Sequence, residues 1–274
     1  MSDKPIMQND DSSDILRQIS GQLRLALANI YNSLDRLAPP DRRDREPETD
    51  LNAARLVQSC LRIMRIADNL EDAASLGQPH QAQLRNGDIV QFCQDLVETA
   101  RVPAELLGLE LAFRCEQQTC VIAMDRGRLE RLLLNLLSNA FKFTPRGGRV
   151  LVEVRVEKQQ VILLVADTGC GISEEIAGTL FERYLQPRRM EPPPHGLGLG
   201  LRICREVAEE HGGQILPLTN EDGGTTMVVS LPRRRTEHSR ISDMVVLPKG
   251  NFNRTLVELS DALPKEAFTQ KYMD

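Results

Sequence analysis

The sequence is poor in the residues from which structural metal sites are usually built. Its 274 residues include no tryptophan, four histidines and six cysteines. The cysteines form no Cys-x-x-Cys pair and show no zinc-finger spacing; they are Cys60, Cys93, Cys115, Cys120, Cys170 and Cys204. A structural zinc site is therefore not expected. We interpret the thiols as reduced and as small core side chains.

Long apolar runs and an excess of positive charge are also missing. The chain has 39 acidic and 34 basic residues, a formal net charge of −5, which argues against general affinity for nucleic acid or anionic lipid. No eighteen consecutive apolar residues occur, and the start, MSDKPIMQNDDSSD, lacks the basic and apolar regions of a secretion signal. We therefore expect a cytoplasmic protein whose partners are proteins or small molecules, with no membrane and no nucleic acid among them.

The first part of the chain has the pattern of two long amphipathic helices. Apolar residues recur at steps of three and four; they are Ile15, Ile19, Leu23, Ala26, Ile30, Leu34 and Leu37, then Leu51, Ala54, Val57, Leu61, Met64, Ala67, Leu70 and Ala74. Pro39 and Pro40 end the first helix, and the charged stretch 41–50 predicts a solvated loop. Neither helix can bury its stripe alone. We expect an antiparallel hairpin at 14–82, after a polar tail at 1–13, that forms a four-helix bundle in a homodimer.

From residue 83 to residue 232, strand patterns alternate with helix patterns. The strand-like runs are 109–115, 119–124, 150–156, 161–166, 214–218 and 225–231, and the helical patterns are 88–100, 128–143 and 201–210. Because two neighbouring runs form an evident hairpin across EKQQ, the order favours an α+β sandwich over a doubly wound parallel sheet. Residues 233–274 carry only weak patterns, and the sequence assigns this C-terminal tail no role.

One helix of this region carries a stripe of polar residues. Asn135, Asn139 and Lys142 are spaced i, i+4 and i+7, which places them on one face. Amide oxygens suit Mg²⁺, which keeps several waters and phosphate oxygens, and a lysine supplies positive charge to the same phosphates. The stripe is consistent with a site for a metal-bound nucleoside polyphosphate, although two asparagines on a helix are also commonly plain surface residues.

Two glycine-rich segments follow. Asp167 ends an apolar run and precedes Gly169 and Gly171; a carboxylate beside such open backbone can meet a flat ring, as an adenine amino group would require. The alternative is an ordinary turn that begins with aspartate. The segment 196–201, GLGLGL, opens a helix, where exposed N–H groups favour phosphates.

Five segments, taken in order, resemble the motifs of one family. They are NLLSNAFKFTPRGG, VADTGCGI, LFERY, GLGLGL and GGTTMVVSLP. They resemble the N, G1, F, G2 and G3 boxes of the histidine-kinase type ATP-binding domain, which shares its Bergerat fold with gyrase, HSP90 and MutL. The match runs from about Arg85 to Pro232. The hairpin before it resembles the dimerisation and phosphoacceptor domain of sensor kinases.

This resemblance implies a role for each residue of the boxes. Asn139 would hold Mg²⁺, and Asn135 and Lys142 would contact the phosphates of ATP. Asp167 would accept a hydrogen bond from the adenine amine. The other implied roles concern the base and the lid over the triphosphate: Gly169, Gly171 and Thr225 would lie near the base, and Gly196, Gly198 and Gly200 would hinge and anchor the lid.

The chain departs from the family at the phosphoacceptor. The acceptor box of such kinases reads approximately [VI]SHELRTPL and aligns with ISGQLRLAL, which places Gly21 where the histidine belongs. Without an imidazole there, self-phosphorylation at the usual position is chemically impossible. The four histidines of the chain are interpreted as structural or solvent-facing; they are His80, the least implausible substitute, and His195, His211 and His238.

Three functions are compatible with these observations. ATP-hydrolysing relatives carry a glutamate where this chain has Asn135, so hydrolysis lacks its general base, whereas a neutral imidazole is already nucleophilic. The first hypothesis is a histidine-kinase type phosphotransferase of two-component signalling that acts on a histidine in trans, with a response regulator or phosphoacceptor protein as partner. The second is an inactive pseudokinase whose nucleotide-dependent shape a partner reads. The third is a serine kinase of the anti-sigma type.

The sequence allows two interpretations for each of two further features. Arg183, Arg188 and Arg189 either contact the γ-phosphate or are solvent-facing residues of a loop. Cys170 is either a ligand-facing thiol or a variable residue of the G1-like box.

Overall fold

A computed structural model of the chain describes residues 8–75, 82–173, 181, 199–220, 223–237 and 253–273. These residues fall into two compact units: a helical unit with 8–75 and 264–273, and an α+β unit with the remaining described residues. The α+β class is confirmed. Several predicted features lie outside the described residues; they are Gly196, Gly198, His80, His195, His238 and the three lid arginines.

Three helices form the first part of the helical unit: α1 (Gln8–Leu37), α2 (Pro40–Arg45) and α3 (Pro47–Ser75). In the second half of α1, Arg24 donates from Nε to Asp68 Oδ1 at 2.9 Å and also pairs with Glu71. Both carboxylates lie late in α3, whereas Tyr31, further along α1 than Arg24, lies close to Cys60, which comes earlier in α3 than Asp68. The two long helices therefore run antiparallel. The predicted hairpin is confirmed.

The two predicted apolar stripes differ in burial. On α3, Val57, Leu61 and Met64 are buried as expected. On α1, the buried positions include Ser20 and Leu27, which lie outside the predicted stripe, whereas most members of the stripe are exposed or half-buried; the large exposed ones are Ile15, Ile19, Ile30 and Leu37. Of the α1 stripe, Leu34 alone is buried. The single chain thus leaves an apolar face of α1 uncovered.

The expectation of a solvated loop at 41–50 is wrong. Pro40 and Pro47 are each the first residue of a helix, a position that suits proline because its N–H is not needed there. Arg43 is buried, and its guanidinium donates to Asp50 Oδ1 at 2.8 Å and to the carbonyl oxygen of Phe268 at 3.0 Å. Phe268 ends a 3₁₀ helix (Lys265–Phe268) that precedes a last short helix, α9 (Gln270–Met273).

The second unit contains two sheets. The strands are β1 (Arg85–Asp88), β2 (Glu110–Cys115), β3 (Val121–Met124), β4 (Arg149–Val156), β5 (Gln160–Asp167), β6 (Gln214–Thr219) and β7 (Thr225–Pro232). The larger sheet has five strands in the order β2-β4-β5-β7-β6, and the smaller pairs β1 with β3. β2 and β4 are parallel, and the other pairs are antiparallel. All six predicted strands are present, while β1 was missed because RNGD has no apolar alternation.

Helices pack against the five-stranded sheet. They are α4 (Ile89–Thr99), α5 (Arg101–Leu107), α6 (Arg126–Phe143) and α7 (Gly200–Glu210), and α8 (Arg254–Leu259) packs on α6. The alternation of the strands buries Val152, Leu163 and Val229. Burial of Leu133 and Leu136 on α6 completes the core between the sheet and the helices. This packing fixes α6 close to the end of β5.

His211, at the end of α7, is a buried neutral imidazole. Its Nδ1 bonds to the carbonyl oxygen of Val207 at 2.7 Å, and its Nε2 accepts from the N–H of Asp125 at 2.9 Å. A proton on Nε2 would break the second bond, and burial lowers the pKa of His211 from its usual 6.5. His211 is therefore structural.

Acidification is expected to destabilise the second unit through His211. Below about pH 6.5, His211 binds a proton in the unfolded chain but not in the folded chain. The stabilising contribution of the buried neutral imidazole is therefore complete above that pH and is lost as the pH falls towards the lowered pKa. The free energy of unfolding should fall by up to about 1.4 kcal/mol per pH unit from this group. Denaturant titrations at several pH values should show a shallower slope for His211→Gln; parallel slopes would contradict the assignment.

Candidate functional site

Asp167 stands at the end of β5 with one oxygen held by the backbone. Oδ1 accepts from the N–H of Gly169 at 2.8 Å and from the N–H of Thr225 at 3.3 Å. Burial raises the pKa of the carboxyl, and the two N–H donors oppose that rise. Both of these bonds go to Oδ1, so Oδ2 lacks a hydrogen bond from any described residue. This oxygen can accept from a ligand amine.

Glycine backbone surrounds the carboxyl. A Cβ at Gly169 would overlap the carbonyl oxygen of Phe143, and one at Gly224 would overlap that of Asp167. Gly171 has φ +74°, in the left-handed region that favours glycine. Because Gly169 and Gly224 leave no room for a larger side chain and Gly171 has a left-handed backbone, flat open backbone lies beside the carboxyl. We call this arrangement the Asp167 cradle.

Asn220 is a further residue of the cradle, and the sequence reasoning missed it. Its Nδ2 donates to the carbonyl oxygen of Asp167 at 3.3 Å, and its Oδ1 accepts from Thr226 Oγ1 at 2.7 Å. It thereby fixes the start of the β6–β7 turn against the end of β5. The available signal was an asparagine in a turn that contains two glycines, and that pattern indicates a turn rather than a contact with Asp167.

The polar stripe of α6 lies partly under other parts of the chain. Asn135 is buried and donates from Nδ2 to the carbonyl oxygen of Arg131 at 3.0 Å. A Cβ at Gly200 would lie 2.8 Å from Asn135 Oδ1, so the start of α7 approaches this asparagine closely. Asn139 is half-buried. The structure thus brings the N-box stripe and the last glycine of the GLGLGL segment together.

Lys142 carries an unforeseen ion pair. Its Nζ lies 3.5 Å from Oδ2 of Asp261, and its side chain is 8% exposed. Asp261 follows α8, in the tail to which the sequence assigned no role. Because α8 and α6 are more than a hundred residues apart along the chain, no local pattern could indicate this contact.

The donor set fits a magnesium nucleotide. The cradle offers a carboxylate and a flat approach to an adenine ring, while α6 offers amide oxygens and an ammonium for the metal and the phosphates. Which residues bind stays a prediction for every member of the set, including Gly171, Gly200 and Thr225. Cys170 is exposed. In the described parts of the chain, no group of three or more His, Cys, Asp or Glu could hold a metal ion.

Comparison with known proteins agrees with this geometry. Residues 124–235 match the family described as histidine kinase-, DNA gyrase B- and HSP90-like ATPase. The chain is similar to sensor histidine kinases, and residues 124–235 carry an ATPase domain of their type. This ATPase domain contains the α6 stripe, the Asp167 cradle and the start of α7.

Curated histidine kinases align with different shares of the chain. DivJ of Caulobacter vibrioides is 37% identical over 145 residues, which cover 53% of this chain and 24% of DivJ. A sensor-like histidine kinase of Rhizobium meliloti is 29% identical over 234 residues, which cover 82% of this chain and 43% of that protein. The chain thus spans less than half the length of these relatives.

Solved histidine kinases share the fold. Full-length ShkA, crystallised in complex with AMPPNP, matches with a TM-score of 0.66 at 23% identity and covers 82% of this chain and 47% of ShkA. ThkA in complex with the response regulator TrrA matches with a TM-score of 0.55 at 17% identity, over 85% of this chain and 68% of ThkA. Within the part of the chain that the structure describes, no helix has the length and hydropathy needed to cross a membrane.

Proposed function

We propose that the protein is a cytosolic sensor-histidine-kinase-like protein that binds Mg-ATP and acts in two-component signalling, with phosphoryl transfer to a histidine of another chain. The Asp167 cradle carries this proposal. A buried carboxylate with one oxygen fixed by two N–H groups presents its other oxygen beside glycine backbone. That arrangement recognises a flat ring with an amino group, as in adenine.

The residues of this chain would divide the nucleotide between them. Asp167 Oδ2 would accept from the adenine amine, with Gly169, Gly171 and Thr225 close to the base. On α6, Asn139 would hold Mg²⁺, and Asn135 and Lys142 would contact the phosphates. The bound nucleotide would supply the phosphoryl group. The crystal of ShkA with AMPPNP shows a protein of the same fold with such a nucleotide analogue.

Transfer to an imidazole fits the site better than hydrolysis does. Activation of water requires a general base, and Asn135 is an amide whose Nδ2 already donates to the carbonyl oxygen of Arg131. A histidine with a pKa near 6.5 is largely neutral at cytosolic pH and needs no base. A serine hydroxyl does need one, which weakens the serine kinase alternative.

The acceptor histidine would come from another chain. Neither α1 nor α3 contains a histidine. Gly21, at the aligned acceptor position, is exposed on α1, and a Cβ there would meet nothing within 4 Å. The position is therefore sterically open but chemically inert.

A homodimer and a response regulator are the proposed partners. The exposed apolar side chains on α1 and α3 include Ile15, Ile19, Ile30, Ile63 and Ile66, and a second copy of the hairpin would cover them in a four-helix bundle. ThkA, which shares the fold, was crystallised with the response regulator TrrA.

A pseudokinase is the second candidate. The observation that favours it is the absence of a histidine from α1 and α3 together with the ion pair of Lys142 and Asp261. In that case nucleotide binding would change the shape of the protein, and a partner would recognise the change.

Labelling in trans tests the proposal. Incubation with γ-labelled ATP, Mg²⁺ and a separate histidine-containing phosphoacceptor hairpin should give acid-labile label on that hairpin. Asn139→Ala should abolish the label, because it removes the proposed Mg²⁺ ligand, whereas Asn29→Ala, an exposed asparagine of α1, should not. Acid-stable label would indicate a serine kinase, and nucleotide binding without label would indicate the pseudokinase. Absence of binding would contradict the proposal.

A further inference from the structure

The C-terminal segment 253–263 is a specified structural element rather than a loose tail. Asn253 caps α8: its Oδ1 accepts from the N–H groups of Thr255 and Leu256 at 3.0 and 3.4 Å. Val257, Glu258 and Leu259 are buried. A capped helix with a buried face indicates that this segment has a defined docking position.

That position is α6, the helix with the proposed phosphate contacts. Three ion pairs join the two elements: Arg254 with Glu130 at 3.1 Å, Arg131 with Glu258 at 3.0 Å, and Lys142 with Asp261 at 3.5 Å. They extend along about three turns of α6. The Arg131–Glu258 pair is almost fully buried, with both side chains at most 6% exposed.

The docked segment lies on the same stripe as the nucleotide residues. Arg131, Asn135, Ser138 and Lys142 are spaced i, i+4, i+7 and i+11, and therefore share one face of α6. Asn135 and Ser138 are at most 1% exposed, and the Lys142 side chain is 8% exposed. Two of the four side chains on this stripe, Arg131 and Lys142, pair directly with carboxylates of the segment.

The chemistry of Asp261 makes it a competitor of phosphate. A carboxylate and a phosphate are both oxygen acceptors that pair with an ammonium. Both carry negative charge, so placing them beside the same Lys142 costs electrostatic energy. A triphosphate that uses Lys142 would therefore compete with Asp261.

We propose that the segment 253–263 is an autoinhibitory element that occupies the phosphate side of the nucleotide site, with Asp261 in place of a phosphate on Lys142. The inference rests on the proposed function of the site as a nucleotide site. The apparent affinity for nucleotide falls with the fraction of molecules whose site is open, so a segment docked nine-tenths of the time weakens binding about tenfold.

Calorimetry on the whole chain tests the competition, with Mg²⁺ and a non-hydrolysable ATP analogue as ligand. Asp261→Asn keeps the shape of the side chain and removes its charge, so the analogue should bind roughly three to ten times more tightly. The matched control is Glu266→Gln, which removes one carboxylate charge at the exposed position of the 3₁₀ helix. Its affinity should equal that of the parent chain. Equal affinities for Asp261→Asn and the parent would overturn the inference.

Hydrogen exchange gives a readout that does not depend on affinity. Saturating analogue should accelerate exchange of the α8 amides, since displacement exposes them to water. The amides of α4, away from the segment, provide the internal control. Unchanged or slower exchange in α8 under saturation would overturn the proposal, even if the Asp261 variant bound more tightly.

A third variant separates this inference from the proposed function. Asp167→Asn alters the cradle and should weaken binding of the analogue. If it does so while Asp261→Asn leaves the affinity unchanged and the analogue leaves α8 exchange unchanged, the nucleotide site stands and autoinhibition fails. If the parent and the Asp261 variant both fail to bind the analogue, the proposed function fails, and autoinhibition fails with it.

Discussion

Gly21→His is expected to give α1 an acid-labile phosphoryl label that the parent chain cannot carry at this position. The imidazole would stand at the aligned acceptor position, in open space on an exposed face of α1. The change should not harm the helix, because histidine is favoured over glycine in a helix interior by roughly 0.4 kcal/mol. A nucleophile would thus be added with no steric cost.

The measurement is autoradiography with γ-labelled ATP and Mg²⁺, followed by acid and base treatment of the product. Gly21→Gln is the matched control, because it adds a side chain of similar reach without a nucleophilic nitrogen. Combining Gly21→His with Asp261→Asn should increase the label if the C-terminal segment limits access to nucleotide. No label in either background would show that the missing acceptor is not the only obstacle to transfer, in favour of the pseudokinase.

Asp167→Asn is expected to lower ATP affinity by roughly 10- to 100-fold, the range of one hydrogen bond to a charged group. The substitution is nearly isosteric, and Asn Oδ1 can still accept from the N–H groups of Gly169 and Thr225. The substitution changes only the second oxygen, Oδ2 of Asp167, which becomes an NH₂ donor instead of an acceptor. That donor would face the adenine amine, which is also a donor.

Guanine offers the opposite pattern at this position of the ring, a carbonyl acceptor. Asp167→Asn should therefore narrow or reverse the preference for ATP over GTP, an effect that general destabilisation would not produce. Calorimetry with ATP and with GTP gives the ratio of the two affinities. Asp14→Asn, at an exposed residue of α1, serves as the control. An unchanged ratio with unchanged affinities would remove Asp167 from the base-binding role.

Local patterns predicted much of this fold. Alternating or continuous apolar runs located β4, β5 and β7, and the step of three and four residues located α3 and its buried face. The order of the boxes indicated Asp167, Gly169 and Gly171, and in the structure a Cβ at Gly169 would overlap the carbonyl oxygen of Phe143 and lie 2.8 Å from Asp167 Oδ1. These features depend on neighbours along the chain or on a shared motif order.

The predictions that failed have a common physical origin, because each depended on contacts between residues far apart along the chain. Arg43 looked like part of a solvated loop because its partner, the carbonyl oxygen of Phe268, lies 225 residues further along the chain. Asp261 looked like a tail residue because Lys142 is 119 residues away. On α1 the pattern indicated a single stripe, and it did not show that Leu27, outside that stripe, is buried while Ile30 is exposed.

Asp261 and Lys142 belong to the same chain, and this determines how their ion pair responds to protein concentration and to ionic strength. A tethered competitor acts at an effective concentration that its tether sets, independent of how much protein is present. Dilution would leave that competition unchanged. Added salt would weaken it, because the Asp261 carboxylate is 24% exposed and its charge is open to screening. Ionic strength, rather than protein concentration, would then adjust how readily this domain takes up nucleotide.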